Sequence, residues 1–252
     1  MVLAAIWVKS CTPRTEKVIV SERDTLFYFM GSPTTVEEIE RLRYSIAVKL
    51  MPTVYRLEVT AKYRYKVDHY RGTGWAWKEN YVWTCAHLIP PQTKNRIEVW
   101  DKAGNCLEAT LVWRDKLADV ALLEVKGRGG EGLSFREDSL PRVGEIVYTM
   151  GAPLGLLGTL NEGYVASEER FLNTGTAKHG VLQLSLPAHP GNSGSPVVDR
   201  YGRVVGMISE IATYSGGYEG VTFAIPAQVL KEVWERYRSF AVDDTQRHRS
   251  SR

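Results

Sequence analysis

The chain begins with a stretch of mixed character and then changes to helical spacing. Residues 1–34 combine short apolar pieces with polar ones and follow no clear period. From Thr35 the apolar residues recur every three or four positions, which is the spacing of one helix face, and Thr35-x-x-Glu38 matches a capping box. The pattern predicts a helix over 36–50, which Pro52 helps to end.

After Pro52 the chain becomes a series of short apolar runs separated by turn residues. The runs extend from "VYRLEVTAKY" to "GVTFAIP", and no helical pattern lies between them. Regularly spaced short strands of this kind favour an antiparallel β architecture, either a sandwich or barrels. Gly-rich and Pro-containing segments within 127–145 fall midway, so we expect two similar β halves to join there.

A final amphipathic run, "PAQVLKEVWERYRSF", places Val229, Leu230, Val233, Trp234 and Tyr237 on one face. It predicts a carboxy-terminal helix packed on the β halves. Beyond Ala241 the residues are polar, and we expect them to be disordered. The predicted organisation is an extension over 1–50, β halves over 51–130 and 131–240, the second with the helix, and a tail over 241–252.

Composition narrows the class of protein without naming a function. The chain has 252 residues, 44% hydrophobic and 24% charged, and a net charge of +3. Such a balance is typical of a globular protein and argues against a nucleic-acid partner. Three cysteines without a CxxC pair indicate neither a disulfide framework nor a metal site, and no cofactor is expected.

The amino terminus "MVLAAIWVK" is short for a secretory signal and too short to span a bilayer. We therefore expect a soluble protein without stable membrane insertion. A cytoplasmic location is the default, and the cell envelope is the alternative.

One stretch, "HPGNSGSP" at 189–196, looks like a turn that also carries a candidate nucleophile, Ser193. A catalytic serine needs a base, a carboxylate that orients the base, and donors for the oxyanion. His87 is the only one of the five histidines that ends a strongly apolar strand, and Asp119 stands at the head of another. The order His, Asp, Ser is one of the few known triad orders.

Five separated segments resemble, in order, the signature segments of trypsin-like serine proteases, most closely the HtrA/DegP type. The resemblance covers roughly residues 53–232. It implies an all-β fold of two six-stranded antiparallel barrels with an amino-terminal and a carboxy-terminal helix. The segments are "GTGWAWKENYVWTCAHLI", "LADVALLEV", "VGEIVYTMGAPLGLLGTLNEGYVAS", "LQLSLPAHPGNSGSPVVDRYGRVVGMIS" and "GVTFAIPAQVL".

The resemblance implies a serine endopeptidase that hydrolyses polypeptides through an acyl-enzyme, in protein quality control or processing. His87 would be the general base, Asp119 its orienting carboxylate and Ser193 the nucleophile. Backbone N–H groups of Gly191 and Ser193 would form the oxyanion hole. Asn192, between these donors, is expected to face solvent and is a candidate substrate-binding residue.

The resemblance also implies a substrate cleft. The strand "GMISEI" would pair with the substrate backbone through Ser209, Glu210 and Ile211, although an ordinary sheet edge remains the alternative. Pro187 occupies the position that lines the specificity pocket in trypsin-like enzymes. Without an acidic residue there, we expect small or medium apolar side chains at the cleaved residue.

The sequence departs from the family pattern in three places. Ser195 replaces the final glycine of Gly-Asn-Ser-Gly-Gly, which is tolerable unless that backbone needs a positive φ. Cys85 lies close to His87, and we favour a buried structural thiol over a cysteine nucleophile. The sequence ends soon after "FAIPAQVL", so we expect no PDZ domain, and "LFYFM" at 26–30 is a candidate trimer contact or packs on its own barrel.

Two rival hypotheses stay open. One is a pseudoprotease that has kept the barrels as a polypeptide-binding module and lost turnover. The other is an enzyme held in a misformed state until a partner or the amino-terminal segment remodels it.

Overall fold

A computed structural model of the protein describes residues 35–78, 80–91, 94–128, 130–171, 180–211 and 220–250. The side chains of Glu210, Ile211 and residues 242–250 are outside this description. The candidate trimer segment 26–30 also lies outside the described residues, so the proposed trimer contact stays a prediction.

The first helix, α1 (Val36–Leu50), begins and ends as its sequence predicts. The Thr35 hydroxyl accepts the Glu38 N–H at 3.1 Å, and the Glu38 carboxylate accepts the Thr35 N–H at 3.0 Å. Leu42, Ile46 and Leu50 lie on one face and are buried in a hydrophobic core to which both barrels contribute. The capping box therefore starts the helix, and burial of this apolar face holds it in place.

The first barrel consists of six antiparallel strands that close on themselves. Along β1 the residues alternate between buried and partly exposed, which is the two-residue period expected of a sheet with one face in the core. Strand order is β1-β2-β3-β6-β5-β4, and β4 pairs with β1 to close the sheet. The strands are β1 (Val54–Lys62), β2 (Val67–Trp77), β3 (Tyr81–Cys85), β4 (Lys94–Trp100), β5 (Cys106–Asp115) and β6 (Val120–Glu124).

The second barrel repeats this arrangement after the connecting segment 125–145. Its strand order is β10-β11-β12-β9-β8-β7, and pairing of β10 with β7 closes it. The predicted fold class of two six-stranded antiparallel barrels is confirmed. The strands are β7 (Ile146–Gly151), β8 (Thr159–Arg170), β9 (Val181–Ser185), β10 (Pro196–Val198), β11 (Val204–Ile211) and β12 (Thr222–Pro226).

The second helix, α2 (Ala227–Ser250), packs against the first barrel through aromatic rings. Trp234 meets Trp77 at 6.0 Å and Tyr81 at 5.4 Å between ring centroids, both edge-on. The disordered tail predicted from residue 241 is not found up to Ser250, because α2 continues through that stretch. Residues 241–250 contain no glycine or proline that would end a helix.

Candidate active site

His87 stands on a single 3₁₀ turn, Ala86–Leu88, that follows the last residue of β3. Ala86 and Leu88 are buried and anchor the turn on both sides. The His87 side chain between them keeps 37% of its surface exposed. This placement gives the imidazole one edge toward the protein interior and one toward solvent.

Asp119 immediately precedes β6 and has a φ of +55°. Asp tolerates this left-handed conformation better than most residues. The turn before it is closed by Asp115, whose carboxylate accepts the N–H groups of Leu117 at 3.0 Å and Ala118 at 2.9 Å. The Asp119 side chain is only 3% exposed, so its carboxylate requires hydrogen-bond donors from the protein.

The structure brings His87 and Asp119 together because β3 and β6 are neighbouring strands, with Cys85 opposite Val120. Asp119 Oδ1 accepts the His87 backbone N–H at 2.9 Å, and Oδ2 accepts from His87 Nδ1 at 2.8 Å. A carboxylate only accepts, so the proton of this bond belongs to Nδ1. The ring is held in one orientation, and its Nε2 keeps a lone pair that can take up a proton.

Ser209 contacts both this pair and the candidate nucleophile. Its hydroxyl donates to Asp119 Oδ2 at 2.5 Å, and its backbone carbonyl accepts from Ser193 Oγ at 3.3 Å. Ser209 stands at an irregularity in the pairing of β11 with β12, where the register shifts between Ile208 and Glu210. Ser209 is expected only at the substrate edge from its sequence, and its contact with Asp119 is not predicted, because no local pattern marks such an irregularity.

Ser193 lies on the turn that joins β9 to β10, and its side chain is half-buried. Its hydroxyl is directed at the Ser209 carbonyl, and the hydrogen bonds of the described residues include none between Ser193 and the His87 ring. The His87–Asp119 half of the predicted triad is therefore assembled. The Ser193–His87 bond would require rotation of the Ser193 hydroxyl.

In the turn 190–195, some backbone N–H groups form hydrogen bonds and others do not. Asn192 donates to His189 O, Gly194 to Ile208 O and Ser195 to Asn192 O, at 2.7 to 2.9 Å. Among the hydrogen bonds of the described residues, none uses the N–H of Gly191 or of Ser193. These are the two N–H groups that the resemblance assigns to the oxyanion hole.

Only glycine fits at position 191. Its φ is +104°, and a Cβ placed there would lie 2.4 Å from the carbonyl oxygen of Ala152. The carbonyl of the preceding residue, Pro190, accepts the N–H of Leu154 at 2.9 Å. The loop after β7 therefore packs directly against the turn and leaves no room for a side chain.

Asn192 and Ser195 are both buried, with 1% and 0% of their surface exposed. The expectation that Asn192 faces solvent is wrong, because its side chain turns inward against Gly151, where a Cβ would lie 2.5 Å from its Oδ1. Ser195 is absent from the described residues with positive φ, so its backbone does not require the glycine usual in the family. The Ser195 hydroxyl and the Asn192 amide make no hydrogen bond within the described part of the chain.

The predicted cleft residues are described only in part. Pro187 is exposed on the segment between β9 and the turn. The backbones of Glu210 and Ile211 pair with Phe223 and Thr222 of β12, while their side chains lie outside the described residues. Their contact with substrate stays a prediction.

Cys85 is a buried thiol beside the candidate site. Its Sγ donates to the Ile208 carbonyl at 3.2 Å and is fully shielded from solvent. Donor atoms of Cys85, His87 and Asp119 lie within 4.8 Å of one another. Each of these donors already has a protein partner, which favours the structural role that we expect for the thiol.

Comparison with known proteins gives one family. Residues 72–207 match the model of a trypsin-like peptidase domain. Two relatives are named probable periplasmic serine endoprotease DegP-like. The one from Ectopseudomonas mendocina (strain ymp) is 34% identical over 161 residues, which are 64% of this chain and 33% of the relative. The one from Bartonella henselae is 36% identical over 156 residues, 62% of this chain and 30% of the relative.

The chain thus spans about a third of the length of these curated relatives. Among solved structures, the HtrA-type protease AlgW with tripeptide superposes with a TM-score of 0.69 and 26% sequence identity. That match covers 76% of this chain and 62% of the AlgW chain.

The relatives also correct the expected location. Their name places them in the periplasm, which contradicts the expected cytoplasmic default. Within the described residues, no helix is both long enough and apolar enough to cross a bilayer.

Proposed function

Because the chain belongs to the trypsin-like peptidase family, we propose that it is a serine endopeptidase that hydrolyses peptide bonds of polypeptides. One observation carries this proposal. The buried Asp119 carboxylate holds the His87 ring at 2.8 Å and is linked through Ser209 to the turn that presents Ser193. A base, its orienting carboxylate and an accessible hydroxyl are the groups that acyl transfer by a serine needs.

The first half of the reaction begins when the Ser193 hydroxyl turns from Ser209 O toward His87 Nε2. His87 takes the hydroxyl proton as Ser193 Oγ attacks the carbonyl carbon of the substrate. The negative charge that develops on the carbonyl oxygen is stabilised by the uncommitted N–H groups of Gly191 and Ser193. Asp119 stabilises the imidazolium without becoming protonated.

The second half returns the proton and releases the product. Imidazolium His87 donates its proton to the leaving amine as the peptide bond breaks, which leaves an acyl group on Ser193 Oγ. Water then attacks the ester carbonyl while His87 accepts one of its protons. The carboxylic acid leaves and Ser193 regains its hydrogen.

Polypeptides are the proposed substrates, and the end of β11 is the proposed backbone-binding edge, with Ser209, Glu210 and Ile211. Pro187 supplies no negative charge to the specificity pocket. We therefore expect cleavage after small or medium apolar side chains. Profiling with a peptide library checks this, and dominant cleavage after Lys or Arg would contradict it.

The relatives' periplasmic name supports a location in the cell envelope. A task in protein quality control or processing is proposed from the family resemblance. A trimer formed through residues 26–30 is a separate proposal. Cell fractionation tests the first, and sedimentation of the full chain tests the second.

A polypeptide-binding module without turnover is the second candidate, and the Ser193 hydroxyl favours it by bonding to Ser209 O and not to His87. An enzyme held inactive until a partner or the amino-terminal segment remodels it would show the same bond.

A fluorophosphonate probe and unfolded casein test the proposal on the full chain, beside Ser193→Ala and the control Ser239→Ala. Ser239 is an exposed serine of α2 whose hydroxyl donates to Glu235 O. We expect labelling and cleavage in the wild type and in the control, and neither in Ser193→Ala. No labelling under any condition favours the binding module. Labelling that starts only after a partner is added or residues 1–50 are removed favours the inactive enzyme.

A further inference from the structure

Thr73, in the middle of "GTG" on β2, makes three hydrogen bonds to two segments of the candidate site. Its side chain is fully buried. Its hydroxyl donates to the Gly191 carbonyl at 2.7 Å and accepts the Ala152 N–H at 3.0 Å, and its own N–H donates to the Ser193 carbonyl at 2.9 Å. One side chain of the first barrel therefore connects the nucleophile turn with the loop after β7.

We propose that Thr73 is a positioning residue of the oxyanion hole, an inference that rests on the proposed peptidase function. The Thr73 hydroxyl holds the Gly191 carbonyl and the Ala152 N–H in the one arrangement that leaves the Gly191 N–H free to meet substrate.

The peptide geometry around Gly191 explains how this works. The Pro190 carbonyl is bonded to the Leu154 N–H at 2.9 Å. The described residues contain no cis peptide bond, so the Gly191 N–H points in the direction opposite to the Pro190 carbonyl, away from the loop. The next carbonyl, that of Gly191, is held by Thr73. With both carbonyls bonded, the Gly191 N–H has one direction available.

The loop that makes the second contact needs external support. Leu154 has a φ of +53°, a conformation that disfavours a side chain, and that side chain is 74% exposed. Burial of the leucine therefore does not offset its backbone strain. The bonds through Pro190 and through Thr73 to Ala152 are what keep the loop against the turn.

The space around these bonds supports a precise role. A Cβ on Gly194 would lie 2.1 Å from the Thr73 carbonyl, and a Cβ on Gly72 would lie 3.0 Å from the Ser193 carbonyl. β2 and the turn are thus in backbone contact. A water molecule therefore cannot take the place of the Thr73 hydroxyl unless β2 and the turn move apart.

Thr73→Val is the direct test, because valine keeps the shape of threonine and removes the hydroxyl. We expect kcat on a peptide substrate to fall by roughly 10- to 100-fold with KM within about twofold, since removal of a whole oxyanion donor costs about 100- to 1000-fold. Thr73→Ser keeps the hydroxyl and should retain most of the wild-type kcat.

Thr53→Val is the matched control. Thr53 is also a buried threonine whose hydroxyl donates to a backbone carbonyl, that of Leu50 at 2.9 Å, but it lies at the end of α1. The Thr53→Val variant should have a lower melting temperature than wild type and an unchanged kcat. A wild-type kcat for folded Thr73→Val would overturn the inference.

A second readout keeps the inference testable without activity. In crystal structures of Thr73→Val, or of Thr73→Ala where valine does not fold, we expect the Gly191 carbonyl and the Ala152–Leu154 loop to leave their wild-type positions. Unchanged positions overturn the inference. Failure of the proposed function is seen separately, as a wild-type protein that does not cleave or as Ser193→Ala that does.

Discussion

Ser209 and Asp119 are 90 residues apart in the chain, and their side chains meet at 2.5 Å. The Asp119 oxygen that accepts the Ser209 hydroxyl also accepts from His87 Nδ1. The Ser209 carbonyl in turn accepts the Ser193 hydroxyl. A single residue of β11 therefore touches the carboxylate and the nucleophile of the proposed triad.

Ser209→Ala should weaken the hold on Asp119. We expect kcat to fall by about tenfold, because a lost hydrogen bond to a charged group costs ~1.5–3 kcal/mol and part of that cost reaches the transition state. Steady-state kinetics with a peptide substrate measure the change, with Ser239→Ala as the control. A wild-type kcat would mean that Asp119 is held sufficiently by His87 alone.

Gly191→Ala should damage the oxyanion hole, because its Cβ would lie 2.4 Å from Ala152 O at a φ of +104°. We expect kcat to fall about 100- to 1000-fold with little change in KM. Gly104→Ala separates strain from crowding, since Gly104 has a φ of +86° and nothing within 4 Å of the added Cβ. That control should lose ~1 kcal/mol of unfolding free energy and no activity. Equal loss of kcat in Gly191→Ala and Gly104→Ala would contradict the assignment of the Gly191 N–H to the oxyanion hole.

Ser195→Ala removes a fully buried hydroxyl that makes no hydrogen bond within the described residues. We expect the free energy of unfolding to rise by ~1 kcal/mol and kcat to stay within about twofold, because an unpaired buried polar group is destabilising. Thermal unfolding measures this beside Thr149→Val, which loses a buried bond to Pro196 O at 2.7 Å and should be less stable than wild type. A destabilised Ser195→Ala would show that its hydroxyl has a partner.

Asp199→Ala should be the most damaging of these changes to stability. The buried Asp199 carboxylate accepts the Tyr201 N–H at 2.9 Å and the Arg203 N–H at 3.0 Å, and it pairs with the Arg203 guanidinium at 2.8 Å. We expect a loss of ~3 kcal/mol, because two backbone donors lose their acceptor and the partly exposed Arg203 guanidinium loses its buried partner.

Denaturant unfolding measures the Asp199→Ala loss, and Glu235→Ala is its control. Glu235 forms an exposed pair with Arg238, so that change should stay within ~0.5 kcal/mol of wild type. An Asp199→Ala protein as stable as the control would disprove the structural role of Asp199 in the turn between β10 and β11.

Local patterns were sufficient for most of the fold. α1 is predicted by its apolar spacing and by the reciprocal contacts of Thr35 and Glu38, all within one turn of chain. The strands are predicted because alternation along a run such as β1 depends only on its own residues. The extent of α2 was missed, since charged residues after Ala241 suit either a helix or a disordered tail.

The candidate site divides in the same way. His87, Asp119 and Ser193 stand out in the sequence because each has a recognisable local setting at a strand end or turn, in a known order. Asn192 is expected to face solvent because it lies between Gly191 and Ser193, the two proposed oxyanion-hole donors. Its burial beside Gly151 depends on the position of β7, which the sequence around Asn192 does not predict.

The sequence by itself determined the strands, the first helix, the glycines of the turn and the residues able to act as base, carboxylate and nucleophile. Only the tertiary structure decided that Ser209 supports Asp119, that Ser193 bonds to Ser209 O and that Thr73 holds Gly191. These contacts join residues from 16 to 118 positions apart, across strands and across barrels. Such contacts follow from chain closure and side-chain direction, which period and composition do not encode.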